Sequence, residues 1–169
     1  MKTLRPPDPR LNELSFWLGR AYYNYVGLLE RVLEDLGLDD RLRPGMGHAL
    51  FALFERDDRS IKDLVARTAL SPSTLTGMLD RMERHGVVER HADPADGRVV
   101  RVRLTASGKA LEPRCRGALK RVNGVLGAGL SAAQIRKLKQ SLSTIVGSMK
   151  RDERAWKSRR DRIKQEEAV

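Results

Sequence analysis

The sequence predicts a mainly α fold carrying one small two-stranded β-hairpin near its middle. Three observations lead there. Apolar residues recur every three or four positions over several stretches, the spacing that lines one face of a helix. Serine, threonine and glycine stand where those stretches begin and end. Between residues 87 and 104 the pattern changes to alternation around a turn rich in Asp and Gly, as a hairpin requires.

The elements follow in order. After the leader "MKTLRPPDPR", Leu11, Leu14, Leu18, Ala21, Tyr25, Leu28, Val32 and Leu36 step by threes and fours, which predicts one long amphipathic helix with Gly37 as its stop. "RLRPGMG" is a loop, and His48 to Phe54 is a short, mostly apolar helix. In "SIKDLVARTAL", Ser60 and Asp63 form a capping box, and Ile61, Leu64 and Val65 are the inner face. The next helix is capped by Ser71, with Pro72 at its first position, where a missing amide proton costs nothing. Leu75, Met78, Leu79 and Met82 are its apolar stripe, and Gly86 supplies the left-handed residue that ends it. "VVERH" starts a strand, "ADPADG" turns, and "RVVRVRL" returns.

Beyond Thr105 the chain reads as helix again. Thr105 caps a segment with the stripe Leu111, Cys115, Ala118, Val122 and Val125, in which Pro113 marks either a kink or the true start. "NGVLGAGL" interrupts the pattern. Ser131 and Gln134 form another capping box, followed by Ile135, Leu138, Leu142, Ile145 and Met149 at heptad-like spacing; the last 18 residues continue that helix or fray. The expected organisation is an N-terminal dimerisation helix (11–36), a central module (44–104) and C-terminal dimerisation helices with a tail (105–169). Three long amphipathic helices outside so small a module have more apolar face than one core can cover, and exposed stripes of that size find a partner.

Charge directs attention to polyanions. The 169 residues carry a formal net charge of +11, which points first to nucleic acid. The excess is not spread evenly: residues 105–151 hold ten Lys/Arg against one Asp/Glu, so a nucleic-acid reading must rest on placed residues, not on a uniformly basic body. No apolar run approaches the roughly 20 residues of a membrane span, and the leader lacks the apolar segment of a secretory signal. No membrane partner and a cytoplasmic location are therefore expected. A single cysteine excludes an intramolecular disulfide and offers no zinc spacing.

Helix, short turn, helix and hairpin is the winged helix-turn-helix order. The second helix packs its apolar stripe inward, which leaves Ser73, Thr74, Thr76, Gly77, Asp80, Arg81 and Arg84 on or near the outer face. Small hydroxyls near a helix N-terminus suit phosphates and base edges, although the same pattern serves an ordinary solvated helix. In the hairpin, Val100, Val102 and Leu104 share one face, and Val99, Arg101 and Arg103 the other. Arg98 sits at the turn beside Gly97, where an arginine can enter a narrow minor groove.

Three stretches, "SPSTLTGMLDRMERHGVVER", "DGR" (Asp96, Gly97, Arg98) and "RLTASG", resemble the MarR family of bacterial transcription regulators. The resemblance covers roughly residues 11 to 150, with the specific motifs in the centre. It implies an intertwined helical homodimer whose winged modules each present the second helix to a major groove and the wing to the adjacent minor groove of double-stranded DNA. Carried over, Arg98 is the wing arginine and Asp96 the acid that orients it, while Ser71, Ser73, Thr74 and Thr76 lie at the groove-facing helix. Arg81 takes a backbone or ion-pair role. Gly77 departs from the larger, often basic residue common there, which puts one base or phosphate contact in doubt.

Other signals carry less. Lys109 is the residue of the basic segment best placed for a phosphate. The resemblance also implies a cleft for a small aromatic or anionic effector, for which Trp17, Tyr22, Tyr25 and His48 are candidates, although aromatics on an amphipathic helix also serve as core. His85, His91 and Asp93 imitate a metal or acid–base cluster, yet solvated histidines are the expectation there, with no metal or cofactor and no catalysis. Cys115 lies on an apolar stripe and reads as a small hydrophobe rather than an oxidant sensor. The competing class is a winged-helix protein–protein adaptor that binds no DNA, for which neither Arg98 nor a hydroxyl-rich helix face is needed.

Overall fold

The computed structural model describes residues 13–166, with side chains through residue 163. Helix α1 spans Leu14–Asp35, and Leu11, the first position of the predicted stripe, lies outside the described residues. Gly37 (φ +58°) closes α1. Its amide donates to Glu34 O at 2.8 Å and that of Leu38 reaches back to Leu33 O at 2.8 Å, satisfying carbonyls that the helix end leaves open. Helix α2 (Gly47–Glu55) buries Ala49, Leu50, Ala52 and Leu53.

The central module follows the expected order with one addition. A two-residue strand β1 (Arg59–Ser60) precedes α3 (Ile61–Thr68) and α4 (Pro72–Arg84); strands β2 (Val88–Ala92) and β3 (Val100–Leu104) form the hairpin. The sheet order is β1-β3-β2, all antiparallel, with Arg59 opposite Val102 and Ser60 opposite Arg101. The sheet thus has three strands, not two; a strand of two residues is too short to show alternation in the sequence. Ser60 Oγ accepts the Asp63 amide at 3.1 Å and caps α3. The tight turn into α4 runs through Ala69, a non-glycine residue in the left-handed region (φ +56°).

The core forms where these elements meet. Leu64 of α3, Leu75, Leu79 and Met82 of α4, Val87 just before β2, and Val88 and Val102 of the sheet are all at most 1% exposed. They pack with the buried face of α2 and with Leu38, Leu111 and Cys115. Each such side chain contributes about 1.5–3 kcal/mol by leaving water, so α4 is anchored by its inner stripe.

After the hairpin, Thr105 caps the short α5 (Ala106–Ala110) through the Gly108 amide at 2.9 Å. Gly108 is required: a Cβ there would lie 2.0 Å from Val87 O. Helix α6 (Glu112–Gly127) begins afresh, with Pro113 at its second position, so the proline marks a start and not a kink. The chain divides into two compact units inside α6, one through Asn123 and one from Gly124.

Within the second unit, Gly129 (φ +81°) turns the chain, and Ser131 and Gln134 cap α7 (Ala132–Glu166) reciprocally: each backbone amide donates to the other's side chain. The helix runs on to Glu166, so the basic tail continues it through that residue. Among the described residues no helix is long and apolar enough to cross a membrane.

Candidate nucleic-acid interface

The N-terminal end of α4 is built from hydroxyls. Ser71 caps the helix by accepting the Thr74 amide at 3.1 Å, and its Oγ lies 3.1 Å from Ser73 Oγ and 2.7 Å from Thr74 Oγ1. Thr76 donates to Pro72 O at 2.9 Å, which leaves its lone pairs outward. Ser73, Thr74, Thr76, Gly77 and Arg81 are exposed, opposite the buried stripe, and Ser71 is half-buried. Gly77 faces open space, since a Cβ there meets nothing within 4 Å. Arg81 has no ion-pair partner among the described residues.

At the wing, Asp93 accepts the amides of Ala95 (2.8 Å) and Asp96 (3.3 Å), which closes the first half of the turn. Asp96 then holds Arg98 three ways. Its Oδ1 accepts the Arg98 amide at 3.1 Å and Nε at 3.0 Å, and its Oδ2 accepts Nη2 at 3.1 Å. The guanidinium is nevertheless 91% exposed. Hydrogen bonding from the Arg98 side chain, then from its backbone, holds the Asp96 carboxyl below its ordinary value. A planar fork fixed by a carboxylate at a protruding tip is preorganised to approach a polyanion.

The other arginines of the hairpin are spoken for. Arg101, expected on the outward face, is instead half-buried and bound to Asp58 (Nε–Oδ1 3.0 Å) and Asp93 (Nη1–Oδ2 2.9 Å), with Nη2 also donating to the Asp58 carbonyl. Arg103 pairs across the strands with Glu89 at 2.6 Å. His91, expected to be solvated, is half-buried at the root of the wing. Its Nε2 lies 2.8 Å from Asp58 Oδ1 and its Nδ1 2.9 Å from Ala92 O. These pairs tie the α2–β1 loop to the base of the wing. Lys109 also has a partner: its ammonium is 3.1 Å from Asp57 Oδ2, while Asp57 Oδ1 accepts the Leu104 amide at 2.8 Å. It is thus held at the wing root with its side chain 62% exposed.

Arg90 was not singled out from the sequence and connects the hairpin to α4. From β2 it reaches Asp80 (2.7 Å) and Glu83 (2.6 Å) on α4. A signal was available: strand alternation puts Arg90 on the same face as buried Val88, where a charge needs acidic partners.

A separate cavity of about 470 Å³ lies between α1, α2 and α6. Tyr25 and His48 line it with Leu29, Leu33, Phe51 and Leu119, while Arg43 and the Arg67–Glu55 ion pair supply charge. Trp17 and Tyr22 do not line it. Trp17 sits eight residues, about 12 Å, further up α1, and Tyr22 is 61% exposed. Cys115 is also on the wall; burial pushes its thiol up to about 11, which keeps it protonated and unreactive.

Comparisons with known proteins agree with this geometry. Residues 42–100 match the family model described as "MarR family". The HTH-type transcriptional repressor IacR of Pseudomonas putida is 29% identical over 135 residues, covering 79% of this chain and 78% of that protein. Among solved structures, BpsR of Bordetella bronchiseptica, whose DNA binding is regulated by 6-hydroxynicotinic acid, superimposes with a TM-score of 0.72 at 25% identity, covering 83% of this chain and 98% of that one. A mutant of E. coli MarR complexed with operator DNA shares the fold at a TM-score of 0.69 and 22% identity, covering 83% of this chain and 99% of that one. The winged helix-turn-helix module, its Asp-Gly-Arg wing tip and these likenesses together make the chain similar to MarR-family regulators, the family model itself being matched over the central module, residues 42–100.

Proposed function

We propose that the protein is a transcriptional repressor that binds a pseudo-palindromic operator as a homodimer and is released by a small effector. The observation that carries the reading is Arg98, almost fully exposed at the wing tip and aimed by Asp96, beside a helix whose outer face is small and hydroxyl-bearing. Ser71, Ser73, Thr74, Thr76, Gly77 and Arg81 form the surface that enters a major groove, and Arg98 reads the adjacent minor groove. The role is binding, not catalysis, and it is exercised on DNA in the cytoplasm.

The effector reading rests on the cavity. Its size falls within the usual range for small-molecule sites, roughly 300–1,000 Å³. Apolar walls with Arg43 and His48 suit a small aromatic or anionic molecule. Because α1 and α6 form one side and the module the other, occupancy changes the spacing between two operator-bound modules. Salt titration of duplex binding tests the DNA claim. Affinity falls steeply with salt if phosphates are neutralised, with a slope of about −0.9 per contact; a salt-independent or absent affinity favours an adaptor without DNA.

A further inference from the structure

Arg90 sits on the inner face of β2, opposite buried Val102, and its side chain is spread along one edge of α4. Nη1 is 2.6 Å from Glu83 Oε2, and Nη2 is 2.7 Å from Asp80 Oδ1 and 3.4 Å from Thr76 O. The Arg90 backbone amide donates to Glu83 Oε1 at 3.0 Å. Thr76, Asp80 and Glu83 stand at i, i+4 and i+7, so the clamp follows a single stripe over two turns of the helix.

The inner stripe of α4 cannot do what this clamp does. Leu75, Leu79 and Met82 fix the depth of the helix, but apolar burial is non-directional and tolerates rotation about the helix axis. Charge-assisted bonds from a planar fork are directional. Turning a helix of about 11 Å diameter by about 20° moves a side-chain tip about 2 Å, more than a hydrogen bond survives. The same guanidinium also offsets the acids of α4. Asp80 and Glu83 balance Arg81 and Arg84, so the helix with Arg90 presents one net positive charge.

We infer that Arg90 is a positioning residue that sets the rotation of α4, and through it the discrimination between DNA sequences, without itself touching DNA. The inference rests on the DNA-binding reading above. The test uses the full chain on two duplexes: one that the wild-type protein selects from random sequence, and a scrambled duplex of the same length and composition. Arg90→Met is expected to lower the ratio of the two affinities by about tenfold or more, the scale of a lost base contact. It should also weaken scrambled binding, because two acids are uncovered. Adding Asp80→Asn and Glu83→Gln to Arg90→Met restores scrambled binding, yet the ratio stays low.

Salt titration separates positioning from direct contact. The slope is unchanged in Arg90→Met if Arg90 meets no phosphate, and a fall of about 0.9 overturns the inference. An unchanged affinity ratio in a folded Arg90→Met protein overturns it as well. If Arg90→Met does not fold, Asp80→Asn/Glu83→Gln alone gives the answer: it removes the anchors and adds positive charge, so a reduced ratio supports the clamp and an unchanged one sinks it. Should the wild type select no duplex, the DNA-binding reading itself fails, a result distinct from a wild type that selects while the variants discriminate equally well.

Discussion

At the scale of single residues, exposure separates the arginines of the hairpin. Arg90, Arg101 and Arg103 hold acids of the protein itself, whereas Arg98 keeps its guanidinium in solvent. Arg98→Ala is therefore expected to lower duplex affinity about ten- to hundredfold with no change in melting temperature; fluorescence anisotropy and a thermal melt read the two quantities. Gly77 and Gly108 make opposite predictions. Gly77→Ala adds a methyl into open space on a helix and stabilises by about 0.5–1 kcal/mol. Gly108→Ala drives a Cβ into the Val87 carbonyl and costs about 1–3 kcal/mol. Thermal melts of the two variants should move in opposite directions. The Asp96–Arg98 contact was legible in the sequence because the two residues are two positions apart. The ion pairs of Arg101 with Asp58 and of Lys109 with Asp57 were not legible because these partners are 40 or more residues away and only the fold brings them near.

At the scale of elements, the wing is held by carboxylates. Asp93 is kept below its ordinary value by the Ala95 amide and then by Arg101, and Asp96 by Arg98. At Asp58 burial pushes upward, but hydrogen bonds from Arg101 and His91 outweigh it. A carboxylate whose folded value is depressed stabilises the fold above its unfolded value, near 3.8, and that contribution is lost as pH falls through the folded value. Hydrogen exchange along β2 and β3 should thus show hairpin protection falling away as pH drops below about 3.8, while these acids leave it flat above pH 5; protection that persists to full protonation contradicts the ion-pair account. The helices around the wing were readable because their caps are local: Ser60, Ser71, Thr105 and Ser131 each act within three residues. Strand β1 was not, since its pairing to β3 is a long-range event with no local pattern. The effector candidates divide the same way: periodicity puts Tyr25 on the inner edge of α1 but does not say that Trp17 and Tyr22 fall outside the cavity wall.

At the scale of the molecule, the two units leave apolar stripes uncovered, each on its own helix. Leu14, Trp17 and Tyr22 of α1 are 66%, 46% and 61% exposed, and Leu138, Leu142 and Met149 of α7 are 49%, 42% and 58% exposed. Stripes of this length are covered by a second copy in the proposed dimer. Leu142→Glu should shift the protein toward monomer in sedimentation at micromolar concentration and weaken operator binding, because each module alone reaches one half-site. In the proposed function the +11 charge attracts any duplex, while sequence choice is assigned to α4 and the wing tip. The most direct measurement is selection of bound sequences from random duplex DNA by the full chain. Enrichment of inverted repeats whose half-sites lie about one helical turn, roughly 10–10.5 base pairs, apart is expected of a dimer with two winged modules. A pool that stays random, or that enriches a single unrepeated motif, contradicts it.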